Sequence, residues 1–357
     1  MRRHFDNFIA GAINWLWRKH STGLTLIRIS IPVWLALLGA GWGMKVFVPT
    51  SSGLLRFSLD MNQGPPAYLI VVGLLMAVLM SLAGFILLFV EQRRLGKRRA
   101  VGIELRGLRD TTGDPLKDKI PRTISGRREQ ILISIRRSDG RILEPEDALK
   151  QIIHLPMSIS HVEAGTDRSD IAYVAGGLAP VPFSFLMGVL LDDENSVTLM
   201  DWDRNGDYWR TLNGEDDGDR FTVSGKNQIG QAEEVVLNIS VSYPTNTLGI
   251  AQTFSGQPVV SMTLSNLTTN AHWSETKQVA LAQQFFDMMR SFCGTNVKHV
   301  NLVLAAPNSL VIRFGRIYDK RNLPPLTVWQ YENGQTPPYP WGVSMPVAGG
   351  SAKIVRF

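Results

Sequence analysis

The sequence predicts an α/β protein: an N-terminal two-helix transmembrane hairpin, then a pseudo-symmetric pair of Rossmann-like halves. Three observations carry that prediction. The first part of the chain is strongly apolar and the rest has ordinary globular composition, a split hidden by a mean hydropathy of +0.00 over the whole chain. A strand–turn–helix pattern, Ile171 to Pro180 running into Val181 to Gly188, is followed by the apolar strand Val197 to Trp202. The same pattern returns as Val300 to Leu304, a turn at Ala306-Pro307, and a helix holding Asn308 and Ser309, before Leu326 to Tyr331. Pro180 stands to Gly188 as Pro307 stands to Gly315, which marks an internal repeat of β-α-β units.

Taken in order, residues 1–20 read as an amphipathic helix in the membrane surface. Phe5, Phe8, Ile9, Ala12, Ile13 and Leu16 fall at helical spacing, with Arg2, Arg3, Arg18 and Lys19 at the ends. A transmembrane hairpin is expected over 21–92, with spans at about 24–48 and 67–90. Arg28 and Lys45 lie near the ends of the first span, where they can snorkel; the second has no charge. The flanks hold Arg2, Arg3, Arg18, Lys19 and then Arg93, Arg94, Lys97, Arg98 and Arg99, whereas the connector has only Arg56. The positive-inside rule therefore puts both termini of this multi-pass protein in the cytoplasm and the connector outside. Small residues at Gly73, Ala77 and Ser81 recur on one face of the second span. They either join protomers or seat the hairpin on itself.

Residues 93–127 read as a basic linker, and 128–357 as the ligand-binding domain, with halves at about 128–225 and 226–357. Gln130 to Ile135 and Glu234 to Tyr243 are strands that echo one another, and Ser274 to Met289 is an amphipathic helix. The net charge of +6 includes the membrane flanks, so it does not argue for duplex nucleic acid. The single cysteine, Cys293, excludes an internal disulfide and any multi-cysteine metal site.

No catalytic constellation emerges: there is no Walker loop, no GxSxG elbow, no HExxH and no histidine–carboxylate cluster at ligand spacing. Glu215 to Asp219 lacks the alternating ligands of a calcium loop, so no metal is expected. Each repeat does set a helix N-terminus at the carboxyl end of a parallel strand, where α/β sheets bind ligands and anions are favoured. A tight strand-to-helix turn is the plainer account of one such motif. The matched pair favours a site.

The two repeats resemble the SAVED domain of effectors in bacterial CBASS anti-phage systems, itself similar to two fused CARF-like units. The likeness rests on Val174 to Pro182 with Trp209, and on Leu304 to Leu310 with Gly315. It implies a sensor for a cyclic di- or trinucleotide second messenger made by a partner nucleotidyltransferase, with no cofactor and no enzymatic activity. The ligand is expected to drive homo-oligomers that disrupt the bilayer. A membrane-tethered scaffold and a slow cyclic-oligonucleotide nuclease are the alternatives. Expected ligand-binding residues are Gly176, Gly177, Ala179, Pro180 and Phe183, the aromatic pair Trp202 and Trp209, and Ala306, Pro307, Asn308, Ser309 and Arg316.

Overall fold

A computed structural model describes residues 22–39, 43–50, 53–60, 67–192, 196–347 and 350–357. The surface helix expected over 1–20 lies outside the described residues. The chain divides into two compact units, Met1–Lys97 and Arg98–Phe357.

In the first unit, α1 (Thr22–Gly39) leads into an antiparallel hairpin of β1 (Gly43–Thr50) and β2 (Gly53–Asp60), followed by α2 (Ala67–Lys97). This corrects the expected first span of 24–48, because the helix stops at Gly39. Gly39, Gly41 and Gly43 each weaken a helix by about 1 kcal/mol, and Val46, Phe47 and Val48 favour a strand. Among the described residues, Val71–Glu91 is long and apolar enough to cross a membrane, while the apolar helix Thr22–Ala36 is shorter.

The small-residue stripe is consumed where α1 meets α2. Ala77 is fully buried. Ser81 Oγ donates to Ser30 Oγ at 3.0 Å and accepts from Trp34 Nε1 at 3.2 Å. A Cβ on Gly84 would fall 2.9 Å from the carbonyl oxygen of Gly23, so the backbones approach too closely for a larger residue. The seam therefore seats the hairpin on itself. Leu75, Leu79, Leu82, Phe85, Ile86 and Phe89 stand exposed on α2, the face left for lipid.

The second unit opens immediately with β3 (Arg99–Arg106), α3 (Leu116–Lys119), β4 (Arg127–Ser134), α4 (Pro145–Ile152) and α5 (Leu155–Glu163). Then come β5 (Ile171–Leu178), α6 (Val181–Leu190), β6 (Val197–Asp203) and β7 (Tyr208–Thr211). These strands form a sheet of order β4-β3-β5-β6-β7, parallel except for β7. The second half follows with β8 (Thr222–Ser224), β9 (Glu234–Ser240), α7 (Thr247–Thr253), β10 (Val259–Thr263) and α8 (Glu275–Phe292). It continues through β11 (His299–Ala305), α9 (Asn308–Ile317), β12 (Leu326–Gln330), β13 (Trp341–Ser344) and β14 (Lys353–Arg356). Its sheet runs β14-β13-β12-β11-β9-β10-β8.

The order β10-β9-β11-β12-β13 repeats β4-β3-β5-β6-β7, with the same four strands parallel and the fifth antiparallel. Counterparts α6 and α9 begin 127 residues apart and end 127 residues apart. The stretch expected as a basic linker therefore contains β3, the strand at the heart of the first half. The echo of β9 is β3, and Gln130 to Ile135 belongs instead with β10. The flanking arginines disguised β3, and so did the charge inside it. Glu104 is fully buried, its Oε2 accepting from Leu116 N and Gln130 Nε2, both at 2.9 Å, and its Oε1 accepting from Arg106 Nη2 at 3.0 Å. A buried carboxylate is tolerable when so satisfied.

The halves meet along α6 and α9. A Cβ on Gly188 would lie 2.9 Å from the Cα of Gly315, and one on Gly315 would lie 3.0 Å from the Cα of Gly188. The two glycines matched in sequence are thus each other's packing partner. Phe183, Phe185, Leu310, Ile312 and Phe314 belong to one hydrophobic core that crosses this boundary.

Candidate ligand-binding cleft

In both sheets the chain reverses its direction of travel between the first and third strands, and this is where open α/β sheets take ligands. Gly107 N and Leu108 N donate to Leu178 O at 2.8 and 2.7 Å; Val241 N and Ser242 N donate to Ala305 O, both at 3.0 Å. The four bonds are one motif written twice. Each third strand then turns through a proline, Pro180 or Pro307, into α6 or α9.

Each helix N-terminus is capped by the opposite half. Val181 N donates to Gln330 Oε1 at 3.2 Å, and Ser309 N donates to Asp201 Oδ2 at 2.9 Å. Asp201 and Gln330 are equivalent, each four residues beyond the start of β6 or β12. The exchange builds two clefts, each combining one half's helix N-terminus with the other half's strand end.

The cleft beside α9 has a volume of about 340 Å³. Its floor is Leu304, Ala305, Ala306, Pro307 and Asn308, its walls carry Trp202, Trp273 and Tyr243, and its rim Arg204, Asn205 and Asn270. Tyr243 is 54% exposed, and Trp273 is half-buried against the His272 ring, with centroids 4.3 Å apart. The Arg210 guanidinium lies over the Trp273 ring itself, 4.5 Å from its centroid, and helps hold it in place. His272 Nε2 is 3.4 Å from Asp201 Oδ2. Burial pushes the His272 imidazole below its ordinary value against the pull of Asp201, so the ring is neutral at pH 7. Aromatic faces, amides and one exposed guanidinium are what stack a base and hold a phosphate.

The cleft beside α6, about 640 Å³, is lined by Leu108, Arg136, Arg141, Pro180, Phe183, Glu332, Trp341 and Arg356. Arg136 Nη1 donates to Gly107 O at 2.8 Å, and Arg356 makes a bidentate pair with Glu146 at 2.9 and 3.0 Å. Its aromatic rings are interior: Phe183 is 1% exposed, with its ring 5.3 Å from that of Trp341.

The residues expected at one site are thus dispersed. Trp202, Ala306, Pro307 and Asn308 line the α9 cleft, whereas Pro180 and Phe183 line the other. Asn308 Oδ1 also accepts from Ser184 Oγ at 2.5 Å, joining the two helix starts. Gly176, Gly177, Ala179, Trp209 and Ser309 are interior. A Cβ on Gly176 would meet the Trp209 ring at 2.7 Å, and one on Gly177 would meet Leu105 Cβ at 3.3 Å. Ser309 Oγ accepts from Gln278 Nε2 at 2.8 Å. Arg316 sits in the last turn of α9, about 12 Å along the helix from Asn308; its Nη1 donates to Val197 O at 3.4 Å. The α9 N-terminus expected to receive a phosphate already holds the Asp201 carboxylate. Tyr243, Trp273 and Asn270 were missed by the sequence reading, although Tyr243 closes a strand that reading did recognise.

Among the described residues no group of three or more His, Cys, Asp or Glu could hold a metal ion. The acidic loop is engaged internally: Asp216 pairs with Arg220 and Asp217 with the buried Lys277, both at 2.7 Å.

A family model described as the SMODS-associated and fused to various effectors sensor domain, SAVED, matches residues 157–345. The chain belongs to the SAVED family. A second model, the SAVED-fused 2TM effector domain, matches residues 2–149, making the protein a SAVED sensor fused to a two-transmembrane effector. That effector match extends through β3, β4 and most of α4, although the structural boundary falls at Lys97. No curated protein matches. Solved structures with a similar SAVED fold include the Acinetobacter baumannii Cap4 SAVED/CARF-domain receptor with 2'3'3'-cAAA, at 10% identity and a TM-score of 0.47, covering 77% of this chain and 60% of that one. The same receptor with 3'3'3'-cAAA has 10% identity and a TM-score of 0.47, covering 79% and 60%. The Moraxella osloensis Cap4 receptor has 12% identity and a TM-score of 0.46, covering 74% and 58%. The chain spans about three-fifths of the length of those receptors.

Proposed function

We propose that this SAVED-fused effector binds a cyclic oligonucleotide second messenger, a di- or trinucleotide made by a partner nucleotidyltransferase, in the cleft beside α9. The observation that carries the reading is the convergence of Trp202, Tyr243, Trp273 and Arg204 at the carboxyl ends of β9 and β11. Bases stack on the accessible rings, and Arg204 meets a phosphate. Asp201 and His272 hold the walls: one caps α9 from the opposite half, and the other supports Trp273 as a neutral ring.

Ligand binding then joins protomers through their sensor domains, concentrating the membrane segments until the inner membrane of the infected cell fails. The protein acts as a sensor-effector with both termini in the cytoplasm, and its output is membrane damage rather than turnover of a substrate. The small-residue seam within the hairpin is already filled, so assembly is driven by the sensor domain and not by that stripe. Titration of the detergent-solubilised full chain with cyclic di- and trinucleotides, with its mass followed by light scattering, tests this. One species is expected to bind and raise the mass severalfold; a folded protein that binds none of them contradicts the reading.

A further inference from the structure

The amino-terminal edge of the first sheet has no part in either cleft, and its charge is one-sided where β3 and β4 begin. Arg99 faces Arg127 across the parallel pair. Arg98, Arg122, Arg127 and Arg128 are all exposed beside them, and the Arg127 side chain is 80% exposed. Glu129 is the carboxylate within this group, 3.6 Å from both Arg99 and Arg127. Asp167 and Asp170, before β5, mark where the basic stretch ends.

Chain length ties this edge to the bilayer. The apolar part of α2 ends at Glu91 and the helix at Lys97, so it extends about 9 Å further at 1.5 Å per residue. The polar layer on one side of a bilayer is about 5–7 Å thick. Arg98 alone separates Lys97 from Arg99, allowing about 7 Å of chain. The start of β3 is therefore tethered within that length of chain of the helix end, and Arg127 is its neighbour in register.

We propose that this sheet edge is a docking surface for anionic phospholipid headgroups, formed by Arg98, Arg122 and Arg127 with Arg128 behind them. Arg128 is fixed by donating to the carbonyls of Asp118 and Ile120 at 2.9 and 2.8 Å, so the surface keeps its shape. The partner is the membrane itself, since juxtamembrane basic groups near a lipid surface are attracted to acidic headgroups. This inference rests on α2 spanning the bilayer and is independent of any nucleotide ligand.

The test is hydrogen exchange on the full chain in nanodiscs, comparing phosphatidylcholine alone with phosphatidylcholine plus phosphatidylglycerol. Amides of 120–128 are expected to exchange severalfold more slowly in the anionic discs. That protection is expected to vanish in the Arg122→Glu/Arg127→Glu double variant and to persist in Arg122→Lys/Arg127→Lys. Equal exchange in the two lipids overturns the proposal. So does protection that survives charge reversal.

Discussion

The clefts beside α6 and α9 share one backbone plan and differ in what their side chains offer. Both have a doubled carbonyl acceptor, at Leu178 or Ala305, a proline turn, and a cap from the opposite half. At α9 that cap is the carboxylate of Asp201, and accessible rings stand around it; at α6 it is the neutral amide of Gln330, with Arg136 and Arg356 engaged in internal bonds. A duplicated frame has kept its hydrogen bonds while its surface chemistry diverged. The lesson is that a helix N-terminus marks a place for a site without fixing its sign. One copy has already spent its dipole on a buried carboxylate.

The largest expected effect breaks the frame that the two clefts share. Gly188→Val puts a branched side chain where the Cα of Gly315 is 2.9 Å from the first added carbon, so α6 and α9 must separate. Overpacking of a tight core costs about 1–3 kcal/mol and more where backbone is the obstacle. The full chain in detergent is expected to melt well below wild type, with both clefts affected together. Gly113→Val, where nothing lies within 4 Å of the added carbon, serves as the control and is expected to melt within a few degrees of wild type.

A smaller change separates the caps. Asp201→Ala removes a charged acceptor from Ser309 N and should destabilise by about 1.5–3 kcal/mol, as hydrogen bonds to charged groups do. Gln330→Ala removes a neutral acceptor from Val181 N, at about 0.5–1.5 kcal/mol. Denaturant melts of the two variants side by side check the order. Equal losses would mean that the two caps are energetically interchangeable, and the distinction between the clefts would lose its electrostatic basis.

Much of this arrangement was legible in the sequence because it was written twice. Pro180 and Pro307, with Gly188 and Gly315, announced both helices and their relation, since only glycine lets the two backbones meet. Strand β3 was hidden because Glu104 sits in its middle and arginines flank it; its role depends on Leu116 N and Gln130, partners distant in the chain. The site was legible only in outline. Trp209 looked like a base platform and proved to cover Gly176, whereas Tyr243 and Trp273 reach the cleft through the ends of β9 and the segment before α8. Exposure of a ring is set by tertiary neighbours, which spacing along the chain does not encode.

The first span illustrates the same limit. Leu24 to Val48 is apolar enough to read as continuous, yet α1 ends at Gly39 and Gly43 to Val48 lie in β1, paired with β2. Hydropathy counts apolar residues and is blind to the conformational cost that glycine adds.

The central claim is that the ligand occupies the α9 cleft and not its twin. It is tested most directly by titrating the cyclic nucleotide that binds wild type into Tyr243→Ala and Arg141→Ala, both exposed positions in opposite clefts. Loss of one base-stacking ring is worth about 1–3 kcal/mol, so Tyr243→Ala is predicted to weaken binding by roughly 5- to 150-fold. Arg141→Ala is predicted to leave affinity within about twofold, as expected of a surface substitution away from the ligand. Unchanged affinity for Tyr243→Ala together with a large loss for Arg141→Ala would contradict the account and move the site to the cleft beside α6.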